Sequence, residues 1–289
     1  MSVRPRRSVL YVPGSSPKAL AKARGLAVDA IIFDLEDSVA PEGKAAARAA
    51  VAAAIREGGY GRRELAVRIN PMQSPWGADD MAAAIAAAPD AVLLPKVDGP
   101  GTVMQAARAL REAQAPEAMR LWAMMETPGA ILQAGAIAAT AADSSSRLAA
   151  LVMGLNDLSK ETRARLAPGR AAMLPWLAQA LLAARAHGCD IVDGVFNDIA
   201  DADGFRRECE QGRDLGFDGK TLIHPGQVAD CNAAFSPSMG EVAAARAIVA
   251  AFEAPGNAGK GVIQMNGKMV ELLHRDMAAR ILAIDAAIG

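Results

Sequence analysis

Eight short apolar runs recur along the chain, and segments with helical periodicity separate them. Most of these runs are continuously apolar, as is typical of strands that are buried on both faces; parallel strands joined by helical crossovers meet that condition. The predicted strands are residues 8–12, 30–35, 65–69, 91–94, 121–125, 149–153, 190–192 and 220–223. The clearest helical segments between them are residues 41–57, 78–88, 101–113 and 174–187. The alternation therefore predicts an α/β protein with a parallel sheet.

Eight strand–helix units favour a (β/α)8 TIM barrel, for which about 250 residues is typical. A doubly wound open sheet is the alternative, but no glycine-rich phosphate-binding motif follows any predicted strand. We assign residues 1–235 to the barrel and residues 236–289 to a C-terminal helical extension. This extension contains a predicted helix at 237–252, a glycine-rich break at 255–261 and a final helix at 267–287. We expect it to act as a lid over its own barrel or over that of a neighbouring subunit.

Net charge and composition exclude several classes of partner. The 289 residues include 31 Lys and Arg against 32 Asp and Glu, without a long run of like charge. Nucleic acid and membrane surfaces are therefore not expected partners. No apolar stretch reaches the roughly 20 residues of a membrane span. Three cysteines without CxxC spacing indicate neither a disulfide framework nor a zinc site. From these features together we expect a cytoplasmic protein.

Polar residues stand where the predicted strands end. In a barrel the carboxyl ends of the strands converge on one face, where active sites of this architecture lie. Because seven of the eight strands are followed by charged or titratable groups, the pattern favours an enzyme. The residues are Asp34, Glu36, Asp37, Arg68, Asn70, Lys96, Glu126, Thr127, Asn156, Asp157, Asp193 and His224.

Several acids around one mouth repel each other unless they are protonated, paired with a cation or bound to a metal. Oxygen ligands without a His or Cys cluster suit Mg²⁺, or Mn²⁺, better than zinc. Glu126 and Asp157, from neighbouring strands, are the candidate ligands, although Asp157 could instead cap the helix that follows it. Arg68 lies in an otherwise apolar strand. It is either a structural partner of Glu36 or Asp37, or a fixed cation for an anionic substrate, and both roles can hold together.

A set of motifs in order along nearly the whole chain resembles the citrate-lyase β-subunit and malyl-CoA lyase family, a branch of the HpcH/HpaI aldolases. The strings are RSVLYVPG at 7–14, DLEDSV at 34–39, VRIN at 67–70, LPKV at 94–97, METPGAI at 125–131, GLNDLSKE at 154–161 and IHP at 223–225. The combination of DLEDSV with IHP is the most specific part of this resemblance.

The resemblance implies a barrel that assembles as a homotrimer or hexamer and uses Mg²⁺ to make or break a carbon–carbon bond beside a CoA thioester. It places the metal ligands on Glu126 and Asp157 and a substrate-binding cation on Arg68. In malyl-CoA lyase-like members, a lid from the adjacent subunit carries an acid in a GxMID-like motif. The matching string here is GKMVE, so Glu271 stands where such members have Asp. The carboxylate is retained but is one methylene longer.

The remaining site residues follow from the chemistry of such a substrate. Backbone N–H groups after Glu126 and those of Leu155, Asn156 and Asp157 are expected to hold a substrate carboxylate, and the N-terminus of the helix that follows Asp157 assists. Glu271 is the expected proton shuttle, with Glu36 or Asp37 as alternatives; these two otherwise orient Arg68 and metal-bound waters. For the CoA phosphates the candidates are Arg7, Lys18 and Lys22.

The first functional hypothesis is a Mg²⁺-dependent lyase. It would cleave malyl-CoA, β-methylmalyl-CoA or citramalyl-CoA to acetyl-CoA or propionyl-CoA plus glyoxylate or pyruvate. A second hypothesis is a malyl-CoA thioesterase on the same scaffold. A third is a citryl-thioester lyase subunit that acts only within a citrate lyase complex, which the long C-terminal segment disfavours.

Overall fold

The computed structural model describes residues 4–289, and the chain divides into two compact units. The larger unit is Arg6–Ala234. The smaller unit contains Phe235–Gly289 together with Arg4 and Pro5. No helix among the described residues is both long enough and apolar enough to cross a membrane.

The larger unit is built on a closed barrel of eight parallel strands in sequential order, β1 to β8. This confirms the predicted (β/α)8 barrel. The strands are β1 Ser8–Pro13, β2 Ala30–Asp34, β3 Glu64–Arg68, β4 Ala91–Leu94, β5 Arg120–Met125, β6 Leu148–Met153, β7 Asp190–Asp193 and β8 Gly219–Leu222. The barrel closes where Ser8 of β1 pairs in register with Lys220 of β8.

Helices follow the strands and cover the outside of the barrel. They are α1 Pro17–Ala23, α2 Lys44–Glu57, α3 Gly77–Ala87, α4 Pro100–Glu112, α5 Pro128–Leu132, α6 Ala134–Ala139, α7 Leu155–Thr162, α8 Leu174–His187, α9 Ala202–Leu215 and α10 Val228–Phe235. Local sequence explains their limits. The side chains of Ser16 and Asp201 cap α1 and α9, while Gly188 and Gly216 end α8 and α9 at positive φ.

The barrel interior is a packed apolar core. Alanines on four of the strands leave room for the large, fully buried Trp122, as expected when alternate strands contribute the side chains of each layer. The cluster consists of Val9, Ala30, Ile32, Ala66, Ala91, Leu93, Trp122, Met124, Ala150, Val152 and Val192. At the amino ends of the strands, Arg6 pairs with Glu64 and Asp190, and its guanidinium lies 5.2 Å from the Trp122 ring centroid. The centre of the barrel is therefore filled with side chains.

The smaller unit contains α11 Met239–Glu253, β9 Val262–Met265, β10 Lys268–Glu271 and α12 Leu272–Ile288. The predicted final helix was wrong at its start, because residues 268–271 form a strand antiparallel to β9. Asn266 and Gly267 connect the two strands at φ of 50° and 75°, as a two-residue hairpin turn requires. α12 begins only after this hairpin. Whether the unit covers a neighbouring subunit stays a prediction.

Candidate active site

A cavity of about 340 Å³ opens at the carboxyl ends of the barrel strands. Its wall combines carboxylates and one guanidinium with apolar side chains. The lining residues are Tyr11, Pro13, Asp34, Asp37, Ser38, Arg68, Met124, Glu126, Met153, Gly154, Leu155, Asn156, Asp157, Val195 and Ile223. Six of the polar residues predicted at strand ends, Asp34, Asp37, Arg68, Glu126, Asn156 and Asp157, therefore meet in one pocket.

Arg68 is a rigidly held cation at the base of this pocket. Its Nε and Nη2 donate to the two carboxylate oxygens of Asp34 at 2.7 and 2.8 Å, and its guanidinium lies 4.9 Å from the Tyr11 ring centroid. Burial tends to raise the pKa of Asp34, but Arg68 outweighs it and the pKa is lowered. The main partner of Arg68 is thus Asp34, and the predicted partners Glu36 and Asp37 add further contacts.

Glu36 and Asp37 approach the remaining nitrogen of the same guanidinium. Arg68 Nη1 lies 3.0 Å from Glu36 Oε2 and 3.2 Å from Asp37 Oδ2. Asp37 is largely exposed, whereas Glu36 is only 6% exposed. Burial raises the pKa of Glu36 to about 8 despite the attraction of Arg68. Glu36 is therefore a buried carboxyl group that can hold a proton near neutral pH.

Glu126 and Asp157 share one cation, the side chain of Lys96. Lys96 Nζ lies 2.5 Å from Asp157 Oδ2 and 3.6 Å from Glu126 Oε1, and the Lys96 backbone N–H donates to Glu126 Oε1 at 2.7 Å. Burial raises the pKa of Glu126, which is 1% exposed, to about 7, and Lys96 opposes that rise. The pKa of Lys96 is raised because its carboxylate neighbours outweigh burial.

The two carboxylates suit a hard divalent cation. A positive charge already stands between them, and the donor set is all oxygen. Among residues 4–289 no group of three or more His, Cys, Asp or Glu side chains could hold a metal. Mg²⁺ commonly takes only one or two protein carboxylates and fills its remaining positions with water and substrate oxygens. A two-carboxylate site of this kind therefore fits that ion.

Gly154 is required where β6 passes the Glu126 side chain. A Cβ atom at Gly154 would lie 2.4 Å from the Cβ of Glu126, a distance that no side chain can accommodate. The Gly154 N–H donates to the Met125 carbonyl, which ties the end of β6 to the end of β5. This contact sets the end of β5, which Glu126 follows, beside the end of β6, from which the chain enters α7 with Asp157.

The turn after Gly154 lines the pocket with Leu155, Asn156 and Asp157. α7 begins at Leu155 without a side-chain cap, so the N–H groups of its first turn have no helical acceptors. Asn156 and Asn197 exchange two side-chain hydrogen bonds, at 2.7 and 3.2 Å. Asn197, on the loop after β7, therefore braces this turn from outside.

Some predicted residues lie elsewhere. Arg7 stands at the amino end of β1 and forms two hydrogen bonds with the Asp29 carboxylate, both 2.8 Å. The structure therefore does not bring Arg7 to the mouth, and its expected contact with CoA phosphates is not supported there. Lys18 and Lys22 are exposed on α1. Glu271 belongs to the smaller unit, where it is the N-cap residue of α12 and its N–H donates to His274.

Asp193 was wrongly expected at the mouth. It is fully buried and pairs with Arg170 at 2.8 Å and Lys220 at 3.0 Å, away from the cavity. Three other strand-end residues serve local structure: Asn70 binds Asp80, Thr127 caps α5, and His224 caps the turn at Pro225–Gln227.

Tyr11 and Asn197 were not predicted from the sequence as site residues. Lys96 was placed at a strand end but was assigned no role. Tyr11 lies two residues after Val9, on the same inward face of β1, but Leu10 and Val12 on the other face are also apolar, so the sequence alone does not show which face points inward.

The position of Lys96 at a strand end was predicted, but its contacts with Glu126 and Asp157 join distant parts of the chain. Asn197 likewise acts through a distant contact, with Asn156, and no local pattern marks it.

A closed parallel barrel whose mouth gathers two carboxylates, one lysine and a buried arginine has the architecture of a TIM-barrel enzyme. Residues 7–225 match the family model described as HpcH/HpaI aldolase/citrate lyase. The chain belongs to this family.

Three relatives illustrate the similarity. The chain is 49% identical over 285 residues to a (3S)-malyl-CoA thioesterase of Cereibacter sphaeroides, covering 99% of this chain and 96% of the relative. It is 34% identical to the citrate lyase subunit beta of Escherichia coli, covering 97% and 93%. The crystal structure of CitE from Mycobacterium tuberculosis in complex with magnesium, acetoacetate and coenzyme A superposes with a TM-score of 0.77 at 29% identity, covering 98% of this chain and 100% of that one.

Proposed function

We propose that this protein is a Mg²⁺-dependent enzyme that acts on the CoA thioester of a 3-hydroxy acid of the malyl type. The observation that carries the proposal is the pairing of Glu126 and Asp157 around one positive charge, beside the fixed cation Arg68. The magnesium and coenzyme A of the CitE complex support the same assignment. Mn²⁺ is the alternative ion that this donor set accepts.

Hydrolysis of the thioester is the reaction we favour. A relative that shares half of its residues over nearly the whole chain is a (3S)-malyl-CoA thioesterase, whereas the citrate lyase relatives share about one third. Hydrolysis consumes one water and gives malate and free CoA. Cleavage of the carbon–carbon bond, to acetyl-CoA and glyoxylate, is the second candidate because citrate lyase subunits belong among the relatives.

Glu126 and Asp157 would hold the ion. When bound, a divalent cation polarises the oxygens of the substrate and compensates for the charge that its carboxylate brings. Arg68 has a different task. Since Asp34 fixes its guanidinium in the pocket wall, it can offset negative charge on the thioester oxygen without reorganising during the reaction.

The free N–H groups at Leu155, Asn156 and Asp157 are the proposed donors to the terminal carboxylate of the substrate. They lie at the N-terminus of α7, where backbone donors and the helix dipole favour an anion. The substrate would thus be held at its carboxylate by α7 and at its thioester oxygen by Arg68.

Proton transfer is assigned to Glu271, with Glu36 and Asp37 as alternatives. Burial raises the pKa of Glu36 to about 8, near the neutral range that suits a group that both takes up and releases a proton. Glu271 would act from the lid of a neighbouring subunit, which requires the homotrimer or hexamer that we propose. Lys18 and Lys22 remain the candidates for the CoA phosphates, whereas Arg7, paired with Asp29, is not retained.

A product assay tests the proposal. The purified protein is incubated with Mg²⁺ and malyl-CoA; free thiol, malate, acetyl-CoA and glyoxylate are measured separately, and citramalyl-CoA and citryl-CoA serve as further substrates. Malate and free CoA in equal amounts support hydrolysis. Acetyl-CoA with glyoxylate supports the lyase instead, and turnover of citryl thioester only on a carrier protein supports a complex subunit. Absence of turnover with every thioester overturns the proposal.

A further inference from the structure

Lys96 is unusual in its backbone conformation and in the contacts of its side chain. Lys96 follows β4 and adopts a left-handed conformation with φ of 49°, which residues other than glycine, Asn and Asp rarely do. In this conformation the backbone N–H and the ammonium group of one residue both reach the Glu126–Asp157 pair. Strained backbone of this kind clusters at functional sites.

The two contacts of Lys96 have separate roles. The backbone N–H donates to Glu126 Oε1 at 2.7 Å and orients that carboxylate whichever side chain stands at position 96. The ammonium group lies 2.5 Å from Asp157 Oδ2 and 3.6 Å from Glu126 Oε1. It compensates for the charge of two acids, one of which is almost fully buried.

The same oxygens are the proposed metal ligands. Mg²⁺ binds carboxylate oxygens at about 2.0–2.1 Å, so an ion shared by Glu126 and Asp157 would occupy the space where Lys96 Nζ lies. Two positive charges at that separation would also repel each other strongly. The ammonium group and the ion therefore exclude each other. Lys96 has room to leave, because its side chain is 31% exposed at the mouth.

We propose that Lys96 is the resident counter-ion of the Glu126–Asp157 site: it holds the two carboxylates together in the metal-free protein, must withdraw when a divalent cation binds, and thereby weakens the affinity for that ion. This inference rests on the metal site proposed above. It goes beyond that site because it assigns to a third residue the setting of its cation affinity.

The test is calorimetric titration of MgCl₂ into the metal-free, full-length protein at pH 8.5, without substrate. Lys96→Met removes the ammonium group and keeps the backbone donor. Lys96→Gly does the same and fits the left-handed φ, so it covers the case in which Lys96→Met folds poorly. Lys160→Met is the matched control, since Lys160 is exposed on α7 three residues after Asp157 and its removal changes the net charge equally.

Both Lys96 variants are expected to bind Mg²⁺ about tenfold more tightly than the wild type, which corresponds to about 1.4 kcal/mol. Lys160→Met should change the dissociation constant less than twofold. As a second readout, saturating Mg²⁺ should raise the unfolding temperature of the Lys96 variants by more than that of the wild type, because their metal-free state has lost its counter-ion.

Unchanged or weaker Mg²⁺ binding in both Lys96 variants, with normal binding in the wild type, would overturn the role of Lys96 and leave the metal site intact. Equal tightening in Lys160→Met would also overturn it, because net charge alone would then explain the effect. Absence of Mg²⁺ binding in the wild type would overturn both the inference and the metal site.

Discussion

Single carboxylates at the mouth differ in what surrounds them. Asp34 is held ionised by Arg68, Glu36 is buried with a raised pKa, and Glu126 and Asp157 face the Lys96 ammonium group. Different surroundings separate the pKa values of neighbouring acids, so that one site can combine a fixed anion, a proton carrier and candidate metal ligands. The assignments can therefore be tested residue by residue.

The proposed metal ligands are tested by Glu126→Gln and Asp157→Asn. Each variant should weaken Mg²⁺ binding by about 100-fold or more and abolish metal-dependent turnover, because a neutral amide is a poor ligand for a hard cation. Titration calorimetry and circular dichroism measure binding and fold. Glu161→Gln, on the exposed side of α7, is the matched control. Near-normal affinity in either variant removes that residue from the ligand set.

The raised pKa of Glu36 predicts a pH-dependent stability. A carboxyl with a folded pKa of about 8 and an unfolded value near 4.3 binds its proton more tightly in the native state. Native stability is therefore lost as pH rises between these two values. Relative to the wild type, Glu36→Gln should gain unfolding free energy from pH 5 to pH 8, on the order of 3 kcal/mol. Chemical denaturation of metal-free protein measures the difference, and a constant difference across this range contradicts the assignment.

At the scale of elements, the site depends on three adjacent strand ends. Gly154 lets the end of β6 pass the Glu126 side chain. Gly194, directly after β7, lets the chain pass Leu155, since a Cβ atom there would lie 2.6 Å from Leu155 Cγ. The loop after β7 then reaches Asn156 through Asn197. Close backbone approach and one pair of amides therefore fix the start of α7 relative to the barrel.

Removing the Asn197 brace should loosen this turn. Asn197→Ala is expected to raise the KM for the thioester about fivefold, which corresponds to the loss of about 1 kcal/mol. The backbone N–H groups that bind the substrate carboxylate become mobile in this variant. Mg²⁺ affinity should change little, because Asp157 remains in place. A double-mutant cycle with Asn156→Ala isolates the pair. If the two substitutions act through one contact, the double variant is no worse than Asn156→Ala; additive losses contradict the brace.

Across the whole barrel, stability depends on a buried charge network outside the site. Arg170 and Lys220 both pair with Asp193, and Lys220 also contacts Glu208 of α9 at 2.7 Å. Burial of Asp193 tends to raise its pKa, but Lys220 and Arg170 outweigh burial and hold the pKa below its usual value. The network joins β7, β8, α9 and the segment before α8.

Arg170→Met should reduce the free energy of unfolding by about 3–5 kcal/mol at pH 7, because it leaves Asp193 with less compensation in a buried setting. Arg206→Met is the matched control; it removes exposed ion pairs with Asp203 and Asp230, so a much smaller change in the free energy of unfolding is expected. Since the folded pKa of Asp193 is lowered, its contribution is present above about pH 4 and is lost as pH falls further. Equal losses in the two variants would contradict the network.

The assembly is tested by mixing inactive variants. If Glu271 acts in a neighbour's mouth, Glu271→Gln should lower turnover with little change in Mg²⁺ affinity. Co-refolded Glu271→Gln and Glu126→Gln chains should regain part of the activity, since some mouths then combine an intact metal site with an intact lid. Recovery is measured against each variant refolded alone. No recovery in a verified mixed oligomer argues that Glu271 does not act between subunits.

The local sequence determined the barrel and the strand that carries each site residue. Apolar runs alternating with helical segments predict strands and crossovers from neighbouring residues alone, and the carboxyl ends of parallel strands converge in any such barrel. Glu126, Asp157 and Arg68 could be assigned to the mouth for this reason. The hairpin at residues 262–271 was missed because only pairing with a partner strand stabilises so short a segment.

Only the tertiary structure decided which side chains meet. Asp34 and Asp193 both end apolar strands, yet Asp34 faces the pocket with Arg68, and Asp193 turns away from it to Arg170 and Lys220. Successive residues of a strand point to opposite faces. In a strand apolar on both faces, no alternation reveals which face is which. Charge pairing across strands, and the left-handed Lys96 between two acids, arise only when distant segments close into the barrel.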